Sequence, residues 1–465
     1  MMGQVDALET AKRGQRTVLA GAVAGGRAPR CLPYLLACCA FVVYAVWSLW
    51  LHRAFQSGGQ DLGLFEQAVH AYADGHWPTA DLKSPGVILL GDHFSPILAV
   101  LAPFYWLWPS PALLLVAQAA LLALSVIPVT RCAIRALGPW RGAGIGVGYV
   151  LSTGLLEAVI HDFHEICFAV PMLAFAGERL LRRQWGWAVA YAAPLVLVKE
   201  DLPMTLAALG LYLVVQGQRR LGWATAAFGV LSTVVVVGVV LPAINSSGGY
   251  AYGDKWGGFA PFAGFPVKVA TLAVLLAPTA FAALRSPMAI LLVPTLAWRL
   301  LSGFHFYWSP ALYYDAVLIP IAFLAAVDGI GRARGTWLGR AAPICAVVAA
   351  VCSTTVVLLH ANQPRWTNEQ QAAAREVLAG VPDGATVAAA GRLAPHLTSR
   401  CRVLLYPTYP SGAEQPEWVV VTRPEGTWPL SVPEQEKRLA ELTRRSYDVV
   451  AGNATATLLH RRPGS

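Results

Sequence analysis

The sequence predicts an all-α polytopic membrane protein with a small α/β soluble domain at its C-terminal end, and three observations carry that prediction. Of 465 residues, 56% are hydrophobic and 13% charged, and the mean hydropathy of +0.52 lies well above that of an ordinary soluble domain. Apolar segments recur along most of the chain at lengths suited to a bilayer. After His360 the composition turns polar and the pattern changes to alternating helix and strand signals. The formal charge of +9 is spread over short loops and a polar tail, so it bears on topology and on anionic lipid headgroups rather than on nucleic acid. No interleaving of aromatic and basic residues suggests a nucleic-acid platform. The eight cysteines form neither a disulfide framework nor a CxxC metal motif.

Taken in order, residues 1–31 carry Lys12, Arg13, Arg16, Arg27 and Arg30 against Asp6 and Glu9. No apolar core with a cleavage site precedes the first span, which predicts a retained cytoplasmic tail. Eleven apolar segments, near 32–51, 110–130, 142–159, 166–181, 185–198, 202–216, 222–243, 267–284, 287–301, 311–327 and 342–360, are spanning candidates. With the N-terminus inside, the loops bearing Arg131/Arg135/Arg141, Arg179/Arg182/Arg183, Arg219/Arg220, Arg285 and Arg332/Arg334/Arg340 all fall on the cytoplasmic side. The segment 94–108 is short for a span, and counting it would reverse every later loop, so it is expected to be re-entrant or interfacial.

The first outer loop, 52–109, holds a density of Asp, Glu, His and Trp that its flanks lack. Between Asp61 and Asp74, Leu62, Phe65, Val69 and Tyr72 share one helical stripe while Glu66, Gln67 and His70 lie off it, the pattern of an interfacial helix. Asp61 stands at its N-terminus. Gly91-Asp92-His93-Phe94-Ser95-Pro96 ends in a proline suited to a first helical turn. Further polar clusters, His161-Asp162-Phe163-His164-Glu165, Lys199-Glu200-Asp201, Asp254-Lys255, Arg299/His305 and Tyr313-Tyr314-Asp315, fall on the same outer side. The Lys199-Glu200-Asp201 tip joins two apolar arms, each about 21 Å of helix against a hydrocarbon core of about 30 Å, so it is expected to be recessed in a polar cavity.

Residues 361–465 read as an extracytoplasmic α/β domain: a helix over Asn368–Leu378, a turn at 381–384 and strands over Val403–Tyr406 and Trp418–Thr422. A second helix over Val432–Arg445 and a hairpin over Tyr447–His460, turning at Gly452-Asn453, complete it.

The ordered set Asp61-Leu-Gly-Leu-Phe-Glu-Gln, His93-Phe-Ser-Pro, His161-x-x-His164-Glu165, Lys199-Glu-Asp, Pro395-His396-Leu and Tyr406-Pro407 resembles a bacterial membrane family catalogued as a domain of unknown function numbered 2079. That family is in turn similar to the GT-C superfamily of polyprenyl-phosphate-sugar glycosyltransferases. The resemblance implies a GT-C-like transmembrane domain over 32–360 and a cell-membrane location. It also implies a lipid-linked sugar donor and an envelope glycan, lipid or protein acceptor, with no nucleic-acid partner. In place of the paired acidic residues of that superfamily stand Asp61 and, five residues on, Glu66, and His-Phe-Ser-Pro replaces the His-Pro-Pro of mannosyltransferase-like relatives.

Such a transferase needs a carboxylate to take the acceptor's proton and cationic or hydrogen-bonding groups to hold the departing phosphate. Asp61 is the base candidate, with Glu66 or Asp92 as second carboxylate. His93, His161, His164, Glu165, Lys199, Glu200, Asp201, Arg299 and His305 are the substrate-binding candidates. Each has a plainer alternative. Asp61 would serve as a helix N-cap, and Lys199-Glu200-Asp201 as a self-neutralised triplet. His161 and His164, three apart, would share a helical face and with Glu165 or His93 suit a divalent metal, or simply form a polar helix end. Tyr313, Tyr314, Trp256, Trp298 and Trp308 fit interfacial anchors better than sugar platforms. A transporter or flippase, or an inactive GT-C-like assembly protein, is the alternative function. A transporter should place ionisable residues near the midplane and often repeats a half, whereas this chain gathers its charges to one side and shows no repeat.

Overall fold

A computed structural model describes residues 30–245, 248–249, 253, 256–333, 337–360, 365–409, 415–423 and 430–463. The tail charges Lys12, Arg13, Arg16 and Arg27, the pair Asp254 and Lys255, and Arg334 lie outside them. Helix α1 (Leu32–Arg53) opens with Pro33 in its first turn, where the missing N–H has no helical partner to lose. A π-helical turn over Gly59–Gly63 then leads into α2 (Leu64–Ala73). The face of α2 that carries Phe65, Ala68 and Val69 is buried within the protein rather than laid on a lipid interface, and Glu66, expected off the stripe, is fully buried too. It packs on α3 (Ala102–Leu107), which continues a 3-10 segment over Pro96–Leu101. The apolar stretch Pro96–Leu107 is about 18 Å of helix, too short to cross a core of about 30 Å by itself.

The bundle continues through α4 (Pro111–Leu137), α5 (Pro139–Val150), α6 (Thr153–Ile160), α7 (Ala169–Leu181), α8 (Trp185–Ala192), α9 (Leu202–Val215) and α10 (Arg219–Val235). It closes with α11 (Leu241–Ile244), α12 (Phe265–Leu276), α13 (Val293–Leu301), α14 (Ile319–Arg332) and α15 (Leu338–His360). Helix α4 is its axis, touching α1, α5, α7 and α14. Its Leu114, Leu122, Val126 and Val129 are fully buried.

Five described stretches are long and apolar enough to cross a membrane: Leu32–Arg53, Pro111–Leu137, Pro139–Ile160, Arg219–Ile244 and Leu338–Leu359. This falls short of the eleven expected from hydropathy, because the other segments are helical over less of their length. Trp185–Leu197, Leu202–Val215, Phe265–Thr279 and Pro287–Leu301 are shorter apolar helices, and α7 and α14 begin only at Ala169 and Ile319. Proline and left-handed residues do the shortening. Pro194, Pro278 and Pro287 sit in 3-10 turns, and Ala280 and Phe281 have φ of 51° and 56°, which ends the helix before them.

Glycine lets α9 and α10 pack backbone to backbone. A Cβ on Gly210 would stand 2.4 Å from the Ala226 nitrogen and 2.6 Å from the Gly222 oxygen, so the contact admits only glycine. Gly210→Val should therefore destabilise the fold by about 1–3 kcal/mol, read as a lowered melting temperature in detergent. An unchanged melt would contradict this packing.

The C-terminal part carries α16 (Asn368–Ala379), α17 (Val432–Arg445) and five strands: β1 (Thr386–Ala389), β2 (Arg402–Leu405), β3 (Trp418–Thr422), β4 (Tyr447–Gly452) and β5 (Ala456–Arg461). Thr367 and Gln370 form a capping box on α16. The sheet order is β2-β1-β3-β5-β4, parallel across the first three strands and antiparallel beyond. Strand β1 is the element the sequence pattern left out; Thr-Val-Ala-Ala has too little branched or aromatic side chain to signal a strand. This part docks on the segment after α1. The Gln67 amide donates to the Val403 carbonyl at 2.8 Å, the Gly59 N–H to the Gly391 carbonyl at 2.8 Å, and Arg402 pairs with Asp81 at 2.7 Å.

Candidate active site

The loop after α6 is shaped by one buried amide. Gln118, on the face of α4, donates to the carbonyls of Ala158 (2.8 Å) and Asp162 (2.6 Å) and accepts the His164 N–H at 3.0 Å. Asp162 turns the chain with φ 62°, a left-handed conformation that short polar side chains tolerate best. Its carboxylate accepts the Gly58 N–H at 2.7 Å, which brings the loop against the turn holding Asp61. His164 stacks on Tyr313 with ring centroids 3.5 Å apart and lays Nε2 3.4 Å from Asp61 Oδ1.

Burial pushes the Asp162 carboxyl up to about 7, the Asp61 charge adds to the rise, and the Gly58 N–H and Ser57 hydroxyl oppose it. Asp61 itself is half open, its side chain 51% exposed. It sits inside the π-helical turn, whose N-cap is Gly58, and the N-cap of α2 is Gly63, so it caps neither helix. Folded Asp162 keeps its proton until about pH 7, while the unfolded chain releases it near the ordinary value of about 3.9. Between those limits the folded state binds more protons, so this group's contribution to stability falls as pH rises from about 4 and levels off above about 7. Asp162→Asn should remove that component from a melting curve measured against pH; an identical pH profile in the variant would refute the shift.

From Tyr313 a string of paired charges runs inward. Lys199 pairs with Glu165 at 2.8 Å, and the Glu165 side chain is 1% exposed. Glu200 accepts the Phe94 N–H at 3.2 Å and meets His93 Nδ1 at 3.4 Å. His93 Nε2 lies 3.8 Å from Asp92, which Lys83 also holds at 2.9 Å. Asp201 accepts the Trp298 indole N–H at 2.9 Å. Asp61, Asp92, His93, His164, Glu165, Lys199, Glu200 and Asp201 thus come together from four places in the chain. Among these carboxylates Asp61 is the one that faces solvent broadly.

Four candidates are placed otherwise. Glu66 is fully buried and accepts the Tyr105 hydroxyl, joining α2 to α3; burial raises its carboxyl, opposed by the Tyr105 and Thr398 hydroxyls. Arg299 is fully buried, pairs with Asp315, and donates to the carbonyls of Tyr307 (2.7 Å) and Ser309 (3.3 Å), so its guanidinium is occupied by its own loop. His161 turns back to Glu157 at the end of α6, its Nδ1 2.9 Å from the carbonyl. His305 lies exposed against Phe306. Because α6 ends at Ile160 and Asp162 reverses the backbone, His161 and His164 do not share a helical face. Among the described residues no three His, Cys, Asp or Glu side chains converge as a metal cluster.

The aromatic residues also differ from their expected role as interfacial anchors. Tyr313 walls the site against His164, Trp298 holds Asp201, the Trp256 indole donates to the Trp298 carbonyl at 2.9 Å, and Trp308 lies buried under Lys268. Gln118 is the residue that motif reasoning passed over, and Asp162, although inside the polar cluster of residues 161–165, was given no role of its own. A glutamine inside the apolar run of α4 was a usable signal, since polar groups at such depth are retained for a reason.

A family model described as a predicted membrane protein, DUF2079, matches residues 51–456, a span that takes in every candidate above. The chain belongs to the DUF2079 family. This DUF2079 protein is also similar in fold to a crystal structure of ArnT from Cupriavidus metallidurans bound to undecaprenyl phosphate. The TM-score is 0.59 at 14% identity, covering 91% of this chain and 98% of the other. ArnT from the same organism in the apo state matches with a TM-score of 0.51 at 14% identity, over 90% and 97%. A comparison with curated protein sequences finds no match. The DUF2079 protein is therefore a membrane protein whose fold is similar to that of ArnT.

Proposed function

We propose that this chain transfers a sugar from a polyprenyl-phosphate donor to an acceptor hydroxyl at the outer face of the membrane. The observation that carries the reading is the half-exposed Asp61 carboxylate beside His164, at the mouth of a buried charge string that holds the Lys199 ammonium. The likeness to an ArnT structure bound to undecaprenyl phosphate supports the donor class. Asp61 takes the acceptor's proton as the acceptor oxygen bonds to the anomeric carbon; the bond from that carbon to the phosphate oxygen breaks, and polyprenyl phosphate leaves with the electron pair. Phosphate is a good leaving group, so the step needs no general acid. Glu165 takes one of the three ammonium donors of Lys199 and aims the rest at the phosphate. Lys83, Asp92, His93 and Glu200 continue the string of paired charges beside Lys199, and Asp201 holds the Trp298 indole.

The length and charge of α4 support this sidedness. Gln118, which shapes the site loop, and Arg135 lie about 25 Å apart along that helix, so the site and the arginine loops sit at opposite ends of the bundle. The positive charge of the arginine end favours the cytoplasmic side for it, and with that an extracytoplasmic site and an extracytoplasmic domain docked on Gly59 and Gln67. Undecaprenyl phosphate should raise the melting temperature of the purified protein while undecaprenol, which lacks the phosphate, should not. Equal shifts from the two would show that the chain senses only the prenyl tail.

A further inference from the structure

At the end of α4 away from the site, one carboxylate is ringed by guanidinium groups. Glu178 on α7 is fully buried, and its two oxygens take Arg182 at 2.8 Å, Arg135 at 3.2 Å and Arg131 at 3.4 Å. A buried carboxylate needs such partners, yet one guanidinium with good geometry would neutralise it. Three leave an excess of two positive charges, and each arginine brings five donors of which Glu178 accepts few. The Arg131 Nε is buried without a hydrogen-bond partner, whereas the Arg135 and Arg182 side chains remain 42% and 34% exposed. Glu178 therefore gathers three partly exposed guanidinium groups around one fixed centre, a cluster of spare donors and excess charge that suits a tetrahedral oxyanion.

The cluster also lies at the depth of a headgroup. Arg131 is about 30 Å along α4 from Pro111, the thickness of a hydrocarbon core. Trp140, just past the end of α4, and Trp187, after the Arg182 turn, are exposed as in an interfacial belt. Neither 131–142 nor 179–199 contains an acidic residue to dilute the field. We propose that Arg131, Arg135 and Arg182, held by Glu178, bind the phosphate of an anionic phospholipid headgroup. This site is separate from the sugar-transfer site and stands whether or not that reading holds.

The full-length protein in detergent can be titrated with dioleoyl phosphatidylglycerol, and in parallel with dioleoyl phosphatidylcholine, with retained lipid read by native mass spectrometry. Phosphatidylglycerol should be held preferentially, and Arg135→Gln and Arg182→Gln should each weaken it about fivefold, the effect of one basic residue near a membrane surface. Arg220→Gln, at the start of α10, removes equal charge elsewhere and should change nothing. Equal retention of the two lipids, or equal weakening by Arg220→Gln, would overturn the proposal. Displacement by an equal concentration of inorganic phosphate would also overturn it, by making a soluble anion the ligand. The lipid comparison and the phosphate competition use the unaltered chain, so they decide the matter even if a variant fails to fold.

Discussion

Asp61→Asn should lower sugar transfer by about 10²–10⁴-fold, the usual cost of losing a general base, while the protein inserts and melts as before. Stability should hold because Asp61 is half exposed, caps neither flanking helix, and meets His164 at 3.4 Å in a contact of the kind worth about 0–1 kcal/mol. The amide keeps the size and polarity of the side chain but cannot accept the acceptor's proton. Asp92→Asn should behave differently. Asp92 is 5% exposed and paired with Lys83, so its loss removes the charge from one side of a partly buried ion pair and should show first as a lower melting temperature. Full activity in Asp61→Asn would remove Asp61 as the base.

Arg299→Met should fail to accumulate as folded protein, with a loss of about 3–5 kcal/mol, because it leaves the buried Asp315 carboxylate without its partner. It also strips hydrogen bonds from the Tyr307 and Ser309 carbonyls. The double variant Arg299→Met/Asp315→Leu should recover part of that loss, since replacing both members of a buried pair by apolar groups is often close to neutral. Sequence position suggested that Arg299 holds phosphate, and the pairing with Asp315 argues for a structural role. An Arg299→Met protein that folds normally and lacks activity would reverse this assignment.

The sequence conveyed what depends on local pattern and little of what depends on tertiary partners. The stripe through Phe65 and Val69 foretold a helix but not that protein would cover this face together with Glu66, and the turn signal at Gly452-Asn453 foretold the hairpin of β4 and β5. The polar motifs led to Asp61, His93, His164, Glu165 and Lys199 because charged side chains in an apolar chain are scarce and each needs a reason. Hydropathy could not show where helices break, since an apolar residue such as Phe281 hides its left-handed backbone. Nor could it tell an available cation from an occupied one. Arg299 and Lys199 look alike in sequence, yet the first is spent on Asp315 and two carbonyls while the second lines the site. The helical spacing of His161 and His164 misled for a related reason, because the reversal at Asp162 depends on Gln118, far away in the chain.

The most direct measurement follows a polyprenyl-phosphate donor carrying a radiolabelled sugar in proteoliposomes of the purified protein, with lipid products separated by chromatography. A glycosyltransferase predicts that the label leaves the prenyl lipid for an acceptor, that unlabelled polyprenyl phosphate accumulates in step, and that both changes vanish in Asp61→Asn. Passage of the intact labelled lipid to the opposite leaflet, with no polyprenyl phosphate released, would contradict sugar transfer and make the same charge string a path for transport.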